Sequence, residues 1–558
     1  MATTPELTEK PVPQTVSARR APSARTFGPL LLRLHFYAGV LVAPFILIAA
    51  TTGLLFTMVP TLDKVVYSAE LVVADPGDTT LPVSQQITAA RATHPDGDFI
   101  GVRPGEGEST TQVDFSSPGL PEEHLHTVYV DPYTGKVTGQ LETWWTATPL
   151  NTWLDQFHRD LHLGTTGELY SELAASWLWV LALGGVVLWW RRQRGNRTAR
   201  RMLTPELAAK KGVRRTRSWH AATGLWITIG LLTLSATGLT WSGYAGANFG
   251  AALDSLKGNR PYVATELTAA PADASGGHHS EGAAAAVPAV DPATVDAVLA
   301  GARATGIDGP VQVSPPTDGA GAWTVTQTDN VWPVRFDSVA VDNTGKVTDR
   351  VDFADWPFLA KLTSWGVQAH MGLLFGLFNQ VILAALAIGL ITVIIWGYRM
   401  WWQRRPTRAG RQALAGAPPA RRAWQQLPSW GIVVGVPVVF ALGWALPLFG
   451  IPLLAFLVID LVVGAVRGSR TPPEVPVSPH PPEADHPHRI PPHPRKLTTR
   501  TIIRNRRRHR SPPRPPDTEG PRPRPRPSRG NRRRCRSLRA CQELLWSAPG
   551  RGTLGPPR

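Results

Sequence analysis

Two stretches, His35 to Phe56 (HFYAGVLVAPFILIAATTGLLF) and His220 to Trp241 (HAATGLWITIGLLTLSATGLTW), constrain what this chain can fold into. Each is an apolar run long enough to cross a bilayer as a helix, which takes roughly 20 residues. Each opens on a histidine. Each has a glycine four positions on, Gly39 and Gly224, and a Thr-Gly-Leu at the same distance, Thr52-Gly53-Leu54 and Thr237-Gly238-Leu239. A histidine at matching places in a duplicated membrane segment points to a shared task.

Apolar runs near 34–59, 171–190, 219–242 and 377–402 predict four crossings. A fifth run, 430–466, is too long for one, and Leu446-Pro447-Leu448-Phe449-Gly450-Ile451-Pro452 divides it into an expected hairpin of two, making six. The first run is too long for a cleavable signal peptide, and no small-residue cleavage site follows it. Arginine orients the chain. Arg19, Arg20, Arg25 and Arg33 precede the first crossing, the connection from Arg191 to Arg217 is rich in arginine, and Arg399, Arg404, Arg405, Arg408 and Arg411 follow the fourth. These segments are expected in the cytoplasm together with both termini. The connections 60–157 and 243–365 are acidic on balance and expected outside.

The net charge of +17 owes much to the tail beyond Arg467, so it does not argue for a specific nucleic-acid partner. Both cysteines, Cys535 and Cys541, lie in that tail. The external segments therefore have no disulfide, and no thiolate is on hand for an iron–sulfur cluster.

The expected order is a disordered N-terminus (1–27), a first crossing (28–60), an external domain (61–157), and a second crossing with a histidine at its external end (158–192). A basic loop (193–217), a third crossing (218–242), a second external domain (243–365) and a fourth crossing (366–403) follow. A cytoplasmic loop (404–428), the hairpin (429–466) and a disordered Pro/Arg-rich tail (467–558) complete it. The first external domain reads as a helix, Val83 to Arg91, then strands at Phe99–Val102, Thr111–Phe115 and His126–Val130. The second repeats the plan with a helix, Pro292 to Ala304, and strands at Val311–Val313, Trp323–Gln327 and Val334–Val341. Asp131-Pro132-Tyr133-Thr134-Gly135-Lys136 and Asp342-Asn343-Thr344-Gly345-Lys346 are hairpin signals in the two copies, and both turns run on as Thr-Gly-Lys-Val-Thr. A Gly/Ala-rich linker between Ala270 and Val287 contains His278-His279. An offset of 212 residues takes His158 to His370, Gly164 to Gly376, Gly185 to Gly397, Trp189-Trp190 to Trp401-Trp402 and Arg192 to Arg404. The unit of crossing, external domain, crossing therefore occurs twice.

This order, the Thr-Gly-Lys hairpins and the His-bearing helices resemble the PepSY-associated transmembrane family, with two PepSY-like external domains, over about residues 28–466. The stretches from Ser171 to Trp179 and from Gly397 to Trp402 resemble its bacterial, actinobacterial-type members. Some members of that family are haem-containing inner-membrane reductases of iron–siderophore complexes. Others are known only as iron-regulated membrane proteins. The resemblance implies a multi-pass α-helical membrane protein of the bacterial cytoplasmic membrane, with a four-helix core, a C-terminal helical hairpin and two small α+β external domains.

Neutral imidazole is an axial ligand of haem iron, and a bundle core is where helices can present two across a porphyrin. His35 and His220 begin outward crossings, so both are expected near the cytoplasmic face. His158 and His370 precede inward crossings, so both are expected near the external face. The expectation is two b-type haems, one per pair and one per leaflet. His158 and His370 lie 32 positions before Trp190 and Trp402. At about 1.5 Å per residue one straight helix would overshoot the bilayer. Gly164-Thr165-Thr166-Gly167 offers a break in one copy. His162 competes with His158, because His162-x-Gly164 mimics His370-x-Gly372; the ungapped repeat prefers His158.

His94, His124 and His126 read as solvated, with His124-x-His126 open to a metal or substrate. The tryptophans at membrane ends, Trp144, Trp145, Trp153, Trp177, Trp179, Trp189, Trp190, Trp356, Trp365, Trp401 and Trp402, read chiefly as an aromatic belt. Gly39, Gly53, Gly224 and Gly238 permit close approach either of helices or of a porphyrin face. No Gly-x-Gly-x-x-Gly fingerprint, Walker lysine motif or His-Glu-x-x-His occurs, so the electron donor on the cytoplasmic side must be another molecule. The leading expectation is a di-haem b oxidoreductase passing electrons across the bilayer to ferric siderophores. The alternative is a non-redox membrane protein whose PepSY-like domains bind or regulate a peptide or protease partner. The four repeat-related histidines discriminate, since only the first has a use for them.

Overall fold

The computed structural model describes residues 27–121, 123–194, 203–209, 211–267, 291–316, 321–405, 419 and 427–468. All of these fall within one compact unit. The expectations for residues 1–26, the His278-His279 linker, Arg408, Arg411, both cysteines and the Pro/Arg-rich tail lie outside the described residues.

The first expected crossing is a broken pair, α1 (Gly28–Leu41) and α2 (Ala43–Phe56), bent by 58°. Pro44 is the cause: it has no N–H for the carbonyl of Val40, and its ring crowds that carbonyl. The hydroxyl of Tyr398 donates to Val40 O instead, at 3.0 Å, so the freed acceptor stays satisfied. The offset of 185 that relates His35 to His220 places Ile229 opposite Pro44, and that copy runs unbroken.

Short helices α3 (Val59–Val66) and α4 (Ser68–Leu71) lead out of the bundle. The first α+β repeat is α5 (Val83–Thr93) with strands β1 (Asp98–Arg103), β2 (Thr111–Ser116), β3 (His124–Val130) and β4 (Val137–Trp144). The chain returns through α6 (Pro149–Arg159) and crosses in α7 (Gly164–Gln193). The second copy comprises α8 (Val213–Leu239), α9 (Gly243–Ser255), α10 (Pro292–Ala304) and strands β5 (Val311–Ser314), β6 (Trp323–Gln327), β7 (Ser338–Val341) and β8 (Val347–Val351). It ends in α11 (Phe358–His370) and α12 (Leu377–Gln403). Helices α13 (Ser429–Ala445) and α14 (Pro447–Gly468) follow.

Helices α7, α8 and α12 are long and apolar enough to cross a membrane, and α1–α2 counts as a fourth span if the bent pair is taken as one. The sequence predicts six crossings; α13 and α14 are apolar but form a shorter pair. They meet where Gly443 and Gly450 touch backbone to backbone. The pair docks on the bundle through Trp177 Nε1, which donates to Leu448 O, and through a buried ion pair between Arg33 on α1 and Asp460.

The strands of the two repeats do not form separate sheets. They share one antiparallel sheet of eight strands, in the order β4-β3-β2-β1-β5-β6-β7-β8. A row of valines explains the join. Val128 pairs with Val113, Val113 with Val102, Val102 with Val313, Val313 with Val325 and Val325 with Val339. All six are fully buried. Helices α5 and α10 cover this row with Val83, Ile87, Ala90, Val295, Val298 and Ala302. Leaving β1 and β5 as free edges would expose the centre of that apolar row to water. The expected strand at Val334–Val341 begins only at Ser338, after an isolated bridge between Asp329 and Arg335.

Both hairpin signals close as expected. Asp131 accepts from the N–H of Tyr133 (2.9 Å) and the hydroxyl of Thr134 (2.7 Å). Asp342 accepts from the N–H of Thr344 (2.9 Å), its hydroxyl (2.6 Å) and the N–H of Lys346 (3.0 Å). Gly135 and Gly345 hold φ of 71° and 85°, a region open to glycine. Burial works against the Asp131 charge, but the Thr134 hydroxyl and the Tyr133 and Thr134 N–H groups hold its carboxyl below the usual range. The Thr344 hydroxyl, then the Lys346 N–H, do the same for Asp342. A carboxyl depressed in the folded state contributes stability above its unfolded value, about 3.9, and loses it as pH falls through the folded value. Acidification from pH 7 to about pH 4 is therefore expected to leave both turns intact, with their contribution fading only below that. Carboxyl titration of the two residues by NMR checks this, and apparent values at or above the ordinary range would contradict it.

Candidate functional site

Helices α2, α7, α8 and α12 make the ring of the bundle, with α2 against α7 and α12, and α8 against α7 and α12. The four repeat-related histidines enter it as two pairs. His35 on α1 faces His220 on α8, with ring centres 6.5 Å apart and planes at 85°. His158 at the end of α6 faces His370 at the end of α11, again with centres 6.5 Å apart, at 46°. Each pair takes one histidine from each repeat. The two pairs lie at opposite ends of the bundle. Along α8, His220 is separated from Thr237, which touches His370, by 17 residues, or about 25 Å of helix.

Neither His158 nor His370 stands on a spanning helix. The helix breaks before α7 in the first copy and before α12 in the second, so no single helix has to run the full distance to the closing tryptophans. In the first copy Thr148 caps α6 by accepting from the N–H of Asn151 (3.3 Å) and donates to Asp63 Oδ1 (2.8 Å). The hydroxyl of Tyr170 on α7 donates to His158 O. In the second copy Asn379 Nδ2 on α12 donates to Ala369 O at 2.8 Å, beside His370. Different residues brace the same turn.

The Thr-Gly-Leu motifs find their use here. Thr52 Oγ1 lies 2.9 Å from His158 Nδ1, and Thr237 Oγ1 lies 2.7 Å from His370 Nδ1. Each hydroxyl already donates to a carbonyl of its own helix, Thr52 to Ile48 O (3.0 Å) and Thr237 to Thr233 O (2.8 Å). With the hydroxyl proton on that carbonyl, the oxygen accepts from an imidazole protonated on Nδ1, the tautomer that leaves the Nε2 lone pair open. The adjoining glycines make room. A Cβ on Gly53 would stand 3.0 Å from His158 Cε1, and one on Gly238 would stand 3.5 Å from His370 Cε1.

At the arginine-rich end the second helix of each repeat supplies the support. His220 Nδ1–H donates to Val393 O at 2.9 Å, and Gly397 lies against its Cε1 edge. In the other copy Gly184 and Gly185 lie against His35. The open faces are also matched. A Cβ built on Gly39 or Gly224, one helical turn from His35 and His220, meets nothing within 4 Å among the described residues.

Two imidazoles that bind one metal from opposite sides place their ring centres roughly 6 Å apart, since a metal–nitrogen bond is about 2 Å and each nitrogen stands about 1 Å from its ring centre. Both pairs match that spacing. Among the described residues no three His, Cys, Asp or Glu side chains converge as a metal site. A pair of imidazoles suits a metal that brings its own equatorial ligands, as iron in a porphyrin does. The open faces at Gly39 and Gly224 would admit a flat macrocycle.

His162 lies elsewhere. Its ring packs on Trp153, with centres 4.9 Å apart, and on Phe157, with centres 6.1 Å apart, and it is exposed. His94, His124 and His126 have partners within the first α+β repeat. His94 stacks on His126 at 4.2 Å and bonds Ser117 Oγ, His124 bonds Glu142 at 2.8 Å, and His126 bonds Gln140 at 3.0 Å. Burial first, then the neighbouring His126, lowers the pKa of His94. The supporting roles of Thr52, Thr237, Tyr170 and Asn379 were not drawn from the sequence. For the threonines the signal was there, in their constant distance from His35 and His220.

Gly167 is the tightest contact near this site. A Cβ there would stand 1.7 Å from Asp160 O, in the turn that follows His158. Gly167→Ala is therefore expected to push α6 away and to cost about 1–3 kcal/mol, the usual range for overpacking. Thermal unfolding of the purified protein checks this; an unchanged midpoint would show that the turn yields freely.

The sequence profile of the PepSY-associated TM region matches residues 32–404. No curated protein matches the chain.

Proposed function

The chain belongs to the PepSY-associated TM region family, and from that premise we propose that it is a di-haem b membrane oxidoreductase that passes electrons across the bilayer to ferric siderophores. The observation that carries the proposal is the spacing of the two histidine pairs, 6.5 Å between ring centres at both ends of one bundle. His35 with His220 would hold one haem, and His158 with His370 the other. Haem iron supplies one-electron chemistry when bound.

The chain's own residues hold and orient. Thr52, Thr237 and Val393 O fix their imidazoles with Nε2 available, and the glycines beside the rings let the helices close around them. Arginine at the end bearing His35 and His220 supports a cytoplasmic position for that pair. The sheet would then lie outside, beside His158 and His370, where a ferric substrate takes one electron per iron. The exposed side chains Trp332 and Phe375, next to the turn that follows α11, give that mouth an aromatic rim.

Visible spectra of the detergent-purified protein, oxidised and dithionite-reduced, with a pyridine haemochrome count, test the reading. The expected result is a low-spin b-type spectrum with two haems per chain, unaltered by His162→Ala. Mixing the reduced protein with a ferric trihydroxamate should return the oxidised spectrum. Absence of a Soret band after haem-replete expression would refute the haem reading, and a spectrum that stays reduced would refute the siderophore step alone.

A further inference from the structure

The two pairs are built alike in spacing and differently in what holds them. At the arginine-rich end the acceptor for His220 Nδ1–H is a backbone carbonyl. At the sheet-bearing end both acceptors are threonine hydroxyls from the two copies of one motif. Each hydroxyl also lies within donating distance of the carbonyl one helical turn back, and with its proton there it accepts from the ring. Thr52 is itself buried, at 3% exposure. The glycine next to each threonine lies against the same imidazole and keeps the ring from sliding off the hydroxyl.

We propose that Thr52 and Thr237 are positioning residues that fix the tautomer of His158 and His370 and set how strongly those imidazoles donate to a bound metal. The inference rests on the haem reading of the pairs. An acceptor on Nδ1–H draws that proton outward and makes Nε2 a stronger donor. A stronger donor favours the ferric state and lowers the reduction potential. The sheet-side centre is thus tuned by side chains, which substitution can change, while His220 is held by backbone.

The test uses the full-length protein in a His35→Ala, His220→Ala background, which keeps only the sheet-side pair. Thr52→Val and Thr237→Val preserve shape and remove the acceptor; Thr52→Ser restores it. Each valine variant is expected to raise the midpoint potential, by a tenfold change in the one-electron equilibrium, about 59 mV. It is also expected to weaken haem retention about tenfold, as loss of an outer-shell partner does. Thr52→Ser should return both readouts to the parent values. The proposal is overturned if the valine variants keep their haem with an unmoved midpoint, or if serine fails to rescue, which would leave the threonine a packing role. A wild-type chain that binds no haem would overturn both proposals, and is seen before any threonine variant is made. A background that loses its haem when the wild type holds two overturns the pairing instead.

Discussion

Alanine at His158 or at His370 is expected to give the same protein, with one haem per chain instead of two and the same spectrum in either variant. Alanine at His35 or at His220 should give a second matching pair of spectra that lacks the other component. The reason is that each pair draws one ligand from each repeat, so either loss empties the same site. The loss of affinity at that site should exceed the roughly 100-fold that removal of an outer-shell partner can cost. The double variant His158→Ala, His370→Ala should be no worse than either single one, since residues acting as a unit are not additive. Haemochrome counts and difference spectra on these variants decide the matter. If His35→Ala matched His158→Ala instead, the ligands would pair within a repeat, and the pairing of His35 with His220 would be wrong.

Leucine at Gly39 or Gly224 is expected to cost that same arginine-side haem while leaving the fold alone. Among the described residues nothing lies within 4 Å of a Cβ at either position, so the added side chain meets no described neighbour at its root. Glycine in a helix interior is about 0.8–1 kcal/mol worse than alanine, and leucine ranks close to alanine, so thermal stability of the apoprotein should hold or rise. The glycines follow His35 and His220 by one turn on the same helix face, which is where the flat face of a macrocycle would lie. The informative result is the combination: an unfolding midpoint at or above the parent value, with one haem missing. A leucine variant that keeps both haems would mean that these glycines face lipid, and would remove the open faces from the case for a porphyrin.

Much of the candidate site was legible in the sequence. His35 and His220 were marked by the duplication, and the offset of 212 chose His158 and His370 over His162. His162 packs instead on Trp153 and Phe157. The bend in the first crossing was also available, since Pro44 sits inside it, but nothing local shows that Tyr398, 358 residues away, would satisfy the freed carbonyl. The shared sheet was not legible. Each repeat alone has the strand pattern of a complete small domain, and only the burial of Val102 against Val313 makes the two edges meet.

What the sequence by itself determined is whatever a local period or a repeat can encode. That covers the apolar lengths that cross a bilayer, the Asp-to-Lys turns that close two hairpins, and the four histidines placed at matching points of two copies. What only the tertiary structure decided is which of these touch. His35 meets His220 and His158 meets His370 across more than a hundred residues of chain, Thr52 and Thr237 turn from helix residues into imidazole partners, and two half-sheets become one. The physical reason is that periodicity records which face of an element is apolar, whereas the partner of a face is fixed by close packing of side chains distant in sequence.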